Sequence, residues 1–188
     1  ERGVETGPAS SVNDSYGRGT IIRFTLDEEV FEDSQLDALS FRAFLREKAS
    51  LFPGLELRFN DESLLAPHGL VDLASDLLCE PVRHEDAFQM NATFDDMTIH
   101  ATAVGHAARP TTVRAWANGY FVCGGGTHLS AFEKALNTIG WTPAIVMIHV
   151  VMRDPRFAGP TRGTLEMPEY ETAIHDRIVR KLRDFQRS

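Results

Sequence analysis

The sequence has few cysteines, no long apolar run and fewer basic than acidic residues. Its two cysteines, Cys79 and Cys123, lie far apart without metal-ligand spacing, so we expect two free thiols in a reducing compartment. No apolar run approaches the roughly 20 residues needed to span a bilayer, and no signal-peptide pattern is present at the N-terminus. These absences predict a cytoplasmic protein without a membrane partner.

The charge balance argues against a protein whose whole surface is basic and binds nucleic acid. The 188 residues include 27 acidic side chains and 19 lysines and arginines, for a formal net charge of −8 at pH 7. Because lysine and arginine neutralise nucleic-acid phosphates, a general DNA-binding surface would need the opposite balance. A local basic patch is still compatible with this composition.

Alternating helical and extended patterns follow an irregular start. Residues 1–18, rich in Gly, Ser, Asn and Asp, are interpreted as a lead-in or linker, and residues 19–188 as a single domain. Ser34 is the predicted N-cap of the first helix. We predict strands at 20–26, 55–60, 88–94, 97–104, 111–117 and 144–152, and helices at 34–51, 69–78, from 127 and from 168. This order predicts an α+β fold with one mixed sheet and helices mainly on one face.

The most informative tract is a glycine-rich turn that opens directly into an amphipathic helix. The turn is Gly124 to His128, and apolar residues then recur at helical spacing, at Leu129, Phe132, Leu136 and Ile139. Glycine permits a positive φ or a close backbone approach. Thr127 is predicted to cap the helix by accepting a backbone N–H. A glycine turn before a helix is also ordinary capping, so the tract needs support from elsewhere in the chain.

That support comes from a resemblance that covers roughly residues 17–187. The glycine tract resembles the Gly-Gly-Thr-His signature of the transducer domain in the B subunits of DNA gyrase and topoisomerase IV. Four other stretches are similar to the same domain in the same order: 19–24 with Val30-Phe31, 45–55, His68-Gly69-Leu70 (where the family has Gly-Gly-Ile) and 150–157. The chain is therefore identified as resembling one domain of a type IIA topoisomerase.

The resemblance implies a fold and a task. The fold would be the ribosomal-protein-like transducer fold with a left-handed βαβ crossover. The task would be to couple ATP in an upstream ATPase domain to DNA strand passage. ATP and Mg²⁺ would be held mainly by domains outside this chain, so the fragment alone would be inactive and without a cofactor. Its partners would be that ATPase domain, through which the parent forms a homodimer, a gyrase A-type cleavage subunit and DNA.

The resemblance also points to a nucleotide-sensing loop. A Gln-Thr-Lys loop of the family contacts the ATP γ-phosphate through its lysine, and the matching residues here are Pro160, Thr161 and Arg162. Arginine keeps the cation and adds a bidentate donor fork, whereas proline removes a backbone N–H and stiffens the loop. Arg162, with Thr161, is either a phosphate contact or part of a solvated loop.

A second candidate site is the basic last helix. It contains Arg177, Arg180, Lys181, Arg183 and Arg187. Such residues form a solvated face that suits the helix dipole. In the family the corresponding helix borders the DNA cavity, so the resemblance implies phosphate contacts as the alternative.

The remaining conspicuous residues indicate structure rather than chemistry. Asn118 is expected to satisfy loop backbone groups, and His128 to be a structural residue of the motif formed with Gly125, Gly126 and Thr127. Cys123 replaces an arginine found in several gyrases, which weakens DNA contact there. No catalytic triad, dyad or metal-ligand spacing is found.

Three functional hypotheses follow. The first is a transducer domain of a bacterial type II topoisomerase B subunit. The second is a divergent gyrase-B-like paralogue that acts as an ATP-gated clamp without supercoiling. Its supports are the acidic net charge, the short 140–143 connection, and the residues Pro160, Arg162 and Cys123. The third is a free-standing binding module, since one fold hosts many functions.

Overall fold

The computed structural model describes residues 19–27, 29–30, 36–107 and 112–187. These residues fall into two compact units, one up to Phe41 and one from Arg42 onward. The predicted lead-in at 1–18 and the predicted cap Ser34 lie outside the described residues. The helices are α1 (Ala38–Leu51), α2 (Leu70–Leu78), α3 (Thr127–Ile139) and α4 (Glu171–Phe185), and the strands are β1 (Leu57–Phe59), β2 (Glu62–Leu64), β3 (Ala87–Phe94), β4 (Met97–Val104), β5 (Thr112–Ala117), β6 (Tyr120–Phe121) and β7 (Ile145–Met152).

The prediction of a strand at 20–26 is wrong. Residues 19–27 have no strand hydrogen bonding, and Ile21, Ile22 and Phe24 are exposed. A run of β-formers needs a neighbouring strand and a face to pack against. No strand in the described part of the chain pairs with this segment.

The first helix is capped by Asp37. Its Oδ1 accepts the N–H groups of Leu39 at 3.1 Å and of Ser40 at 3.4 Å. These groups have no partner within the helix, so the carboxylate satisfies them.

The predicted mixed sheet is confirmed. Five strands lie in the order β3-β4-β7-β5-β6, and only the β5–β7 pair is parallel. Because β5 and β7 are parallel neighbours, the chain must cross over between them, and α3 lies in that crossover. The hairpin predicted around Asp95-Asp96 is also confirmed, and Asp95 makes its turn with a φ of 52°, in the left-handed region.

Helices pack on both faces of the sheet rather than mainly on one. Ile99 and Ile148 face α3 and α4, whereas Trp116 and Met147 face α2 and the end of α1. The reason is visible in β7, where seven of the eight residues are buried on alternating sides. A strand that is apolar on both sides must be covered on both sides.

His149 in β7 joins the sheet to α1. Its side chain is fully buried, with Nδ1 3.1 Å from the Leu51 carbonyl oxygen and Nε2 3.1 Å from the Gly119 nitrogen. The carbonyl can only accept and the N–H can only donate, so the imidazole is neutral with its proton on Nδ1. Burial, and then the nearby His100, lower the pKa of His149 to about 3.

This buried imidazole predicts acid sensitivity. Below pH 6.5 the unfolded chain gains a proton on His149, but the folded chain gains it only near pH 3. The free energy of unfolding should therefore fall as the pH drops from 6.5 to 4, by at most about 1.4 kcal/mol per pH unit from this group. His149→Gln keeps a donor and an acceptor without titrating, so urea denaturation should show a shallower pH dependence. The same slope in both proteins would contradict a neutral His149.

Candidate functional site

The glycine-rich turn and the loop at 157–167 meet backbone to backbone. The Gly124 nitrogen donates to the Gly163 carbonyl at 2.7 Å, and the Thr127 nitrogen donates to the Leu165 carbonyl at 2.9 Å. The Leu165 nitrogen returns a bond to the Gly125 carbonyl at 3.0 Å. The loop that contains Thr161 and Arg162 is therefore held against the start of α3 by a short ladder.

The glycines are required by this close approach. A Cβ on Gly124 would lie 2.4 Å from the Thr164 hydroxyl oxygen, and a Cβ on Gly126 would lie 2.2 Å from the Leu165 carbonyl oxygen. At Gly126 the neighbouring atoms are backbone, so no side chain fits there, whereas a side chain at Gly124 would displace the Thr164 hydroxyl. Of the two roles expected for glycine here, a positive φ and a close approach, Gly126 fulfils both, with a φ of +122°.

Thr127 does not cap α3 as predicted. Gly126 is the N-cap residue and offers no side chain, while Thr127 is already the first helical residue. Its hydroxyl accepts the Met167 N–H at 2.9 Å and donates to the Leu165 carbonyl at 3.3 Å. The loop offers these partners directly beside the side chain, so Thr127 ties the loop to the helix instead.

Arg162 lies on the loop in an unusual conformation. Its φ is 54°, in the left-handed region that costs a residue with a side chain about 1–2 kcal/mol. Its guanidinium carbon lies 5.4 Å from the centre of the Tyr120 ring and 5.9 Å from that of Phe157. Arg162 and Thr161 are both exposed. The loop thus presents one cation on two aromatic rings.

Tyr120 is the site residue that the sequence reasoning missed. It belongs to β6, a strand of only two residues, and is 58% exposed. It is far from Arg162 in the sequence, and no local pattern can reveal such a pairing. The available signal is an aromatic residue directly after the Asn118-Gly119 turn.

The basic helix divides into two groups. The Arg177 guanidinium lies 3.9 Å from the centre of the Phe94 ring and donates to the Ala173 carbonyl, so it contributes to the fold. Arg180, Lys181 and Arg183 are exposed, and no ion pair involves them within the described ranges. The cations of this second group are therefore open to solvent.

Asn118 and His128 contact the protein itself. The Asn118 amide donates to the Met152 carbonyl at 2.8 Å and accepts the Met152 N–H at 2.9 Å, which extends the β5–β7 ladder by a side chain. His128 is fully buried, and burial lowers its pKa to about 4, with the Trp116 backbone opposing part of that shift. Asn118 thus serves the fold, whereas neither ring nitrogen of His128 has a hydrogen-bond partner within the described part of the chain.

No metal centre or membrane span is found in the described part of the chain. No group of three or more His, Cys, Asp or Glu residues there is arranged to hold a metal ion. None of its helices combines the length and hydropathy of a transmembrane segment. Cys79 and Cys123 are free and exposed, with the Cys123 sulfur 4.0 Å from the Gly163 carbonyl oxygen.

Comparison with known sequences confirms the resemblance to gyrase B. The DNA gyrase B protein of Thermus thermophilus is 27% identical over 212 residues, which cover 96% of this chain and 33% of that protein. The corresponding protein of Thermotoga maritima is 23% identical, and the match covers 93% of this chain and 33% of that protein. No protein-family model matches the chain. The chain spans about a third of the length of these curated relatives.

Comparison with solved structures shows the fold. The gyrase B protein of Myxococcus xanthus superposes with a TM-score of 0.70 at 22% identity, covering 84% of this chain and 60% of that one. The 43K ATPase domain of Thermus thermophilus gyrase B, in complex with an aminocoumarin, superposes with a TM-score of 0.60 at 23% identity. The match covers 86% of this chain and 52% of that one. The sheet and its helices therefore have the same fold as the matched region of these gyrase B structures.

The close approach of turn and loop predicts an unequal effect of two glycine substitutions. Gly126→Ala should lower the free energy of unfolding by more than about 3 kcal/mol or prevent folding, because its Cβ meets backbone that cannot move aside. Gly140→Ala is the matched control, with a φ of +70° and no atom within 4 Å of the new Cβ. It should cost only about 1 kcal/mol. Equal losses in urea denaturation would contradict the ladder.

Proposed function

We propose that this chain is the transducer domain of a bacterial type II topoisomerase B subunit, with residues 1–18 as a linker and 19–188 as the domain. It couples ATP binding and hydrolysis in a neighbouring ATPase domain to DNA strand passage. ATP and Mg²⁺ are held mainly by that domain, through which the parent dimerises in the cytoplasm. A gyrase A-type subunit supplies strand cleavage. The similarity to gyrase B proteins over most of the chain supports this assignment.

One observation carries the proposal. The loop with Thr161 and Arg162 is joined to the glycine turn by backbone hydrogen bonds, so the cation is fixed to the start of a core helix. A shift of the loop backbone next to Arg162 would thereby reach the start of α3, and α3 packs on the central sheet. A loop that senses phosphate and transmits its state needs such a connection.

The chemistry of Arg162 suits a phosphate contact. A guanidinium offers paired N–H donors that match two phosphate oxygens. The neighbouring Thr161 hydroxyl adds a donor. The left-handed backbone of Arg162 supports the same role, because strain that is retained in a loop is concentrated at functional sites.

A divergent, ATP-gated clamp without supercoiling is the second candidate. Pro160 in place of glutamine favours it, because proline removes a side-chain donor and a backbone N–H from the loop. The connection from α3 to β7 is also short, only residues 140–144. Both candidates require an ATPase domain, which separates them from a free-standing binding module.

The proposal predicts that Arg162 controls ATP turnover. In the chain extended through its natural upstream region, Arg162→Ala should lower ATP turnover about tenfold or more, since a charge-assisted hydrogen bond contributes about 1.5–3 kcal/mol. Arg162→Lys keeps the charge and should retain most of the turnover.

Arg162→Gly is the control for folding. Glycine adopts a φ of 54° without strain, so this variant should be at least as stable as the parent and yet lose turnover. Unchanged turnover in the alanine and glycine variants would contradict a phosphate contact. Absence of turnover in the extended parent would contradict the first candidate and favour the divergent clamp.

We also propose that Arg180, Lys181 and Arg183 contact DNA phosphates, while Arg177 supports the fold. The affinity for duplex DNA should fall with rising salt concentration, because phosphate contacts release counterions. Replacing the three exposed cations by alanine should reduce the slope of log K against log salt concentration by about one unit for each lost contact. The control replaces Arg42, Arg58 and Arg83 by alanine, which removes the same total charge. These three arginines are ion-paired to carboxylates in the structure. Equal slopes in the two triple variants would contradict a specific contact at α4.

A further inference from the structure

Two aromatic rings from separate elements lie near the Arg162 guanidinium. Phe157 begins the loop and is half-buried against the core, whereas Tyr120 comes from β6 at the edge of the sheet. The distances to the ring centres are 5.9 and 5.4 Å, within the range of cation–π attraction. Tyr120 is 58% exposed, so core packing does not account for its position.

The Tyr120 ring is presented from a firmly held turn. The carbonyl of the preceding residue, Gly119, accepts a bond from the Lys48 ammonium at 2.8 Å, and its N–H donates to His149 at 3.1 Å. A Cβ on Gly119 would lie 3.1 Å from the Phe52 ring, so the turn sits directly against that side chain. Tyr120 therefore starts from a backbone that is fixed on two sides.

A guanidinium held by cation–π attraction is still able to bind an anion. An aromatic ring contacts the flat face of the group, while the N–H donors point outward in its plane. An arginine on an exposed loop otherwise samples many rotamers and must lose that freedom on binding. A side chain that is already ordered binds more tightly for the same contacts.

We propose that Tyr120 and Phe157 are positioning residues that hold the Arg162 guanidinium ready for a nucleotide phosphate. The inference rests on the proposed function, and it assigns Tyr120, outside the loop, to the phosphate-contact site. The rings act before the phosphate arrives, so their loss weakens binding and leaves the later chemistry intact.

The test is ATP turnover by the chain extended through its natural upstream region. Tyr120→Leu removes the aromatic face and keeps apolar bulk, so KM for ATP should rise about two- to fivefold with kcat within about twofold. Tyr120→Phe keeps the ring and should restore the parent KM. Cys123→Ser is the control, because it changes a side chain beside Gly163 and leaves both rings in place.

The double variant separates this inference from the proposed function. Tyr120→Leu combined with Arg162→Ala should behave as Arg162→Ala alone, because the ring has no guanidinium left to position. If Arg162→Ala changes nothing, the proposed function fails and this inference with it. If Arg162→Ala lowers turnover but Tyr120→Leu leaves KM unchanged, only the positioning role is overturned. A Tyr120→Leu effect that persists without Arg162 overturns it as well.

Discussion

The close backbone contact between the glycine turn and the 157–167 loop is the constraint on which the rest of the site depends. Two chain segments far apart in the sequence share a ladder of hydrogen bonds, and that ladder exists only where no Cβ intervenes. It fixes the start of α3 and the position of the loop with one set of contacts. The same glycines therefore serve folding and, in the proposed function, the transmission of nucleotide state.

Two polar side chains inside the fold, those of Asn118 and His149, stabilise this architecture. Asn118 supplies a side-chain amide where the β5 backbone turns away from β7, and His149 supplies both a donor and an acceptor between α1 and the β5–β6 turn. Each satisfies backbone groups that would otherwise be buried without partners, which costs far more than a hydrogen bond gains. The neutral state of His149 is a consequence of that task.

The sequence predicted best where a local pattern decides the structure. The apolar run at 144–152 is buried on both faces as the central strand, and Asp95-Asp96 forms the hairpin turn. Prediction from the sequence was wrong where a contact with a distant part of the chain decides the structure. The β-formers at 20–26 form no strand among the described residues, and Thr127 bonds Met167 instead of its own helix. The cation–π contact of Arg162 with Tyr120 could not be predicted for the same reason, because it depends on tertiary contact alone.

The two departures from the family loop, Pro160 and Arg162, both reduce its conformational freedom. Pro160 fixes its own φ and removes a donor, so the loop has fewer conformations to lose. Arg162 replaces a flexible ammonium by a planar group that aromatic rings can hold by its face. In the proposed function, these changes and the left-handed backbone at Arg162 exchange adaptability for a cation that is held beside aromatic rings before phosphate binds. A site of this kind gains affinity from its own rigidity, and the ladder to the glycine turn is what makes that rigidity available to the rest of the domain.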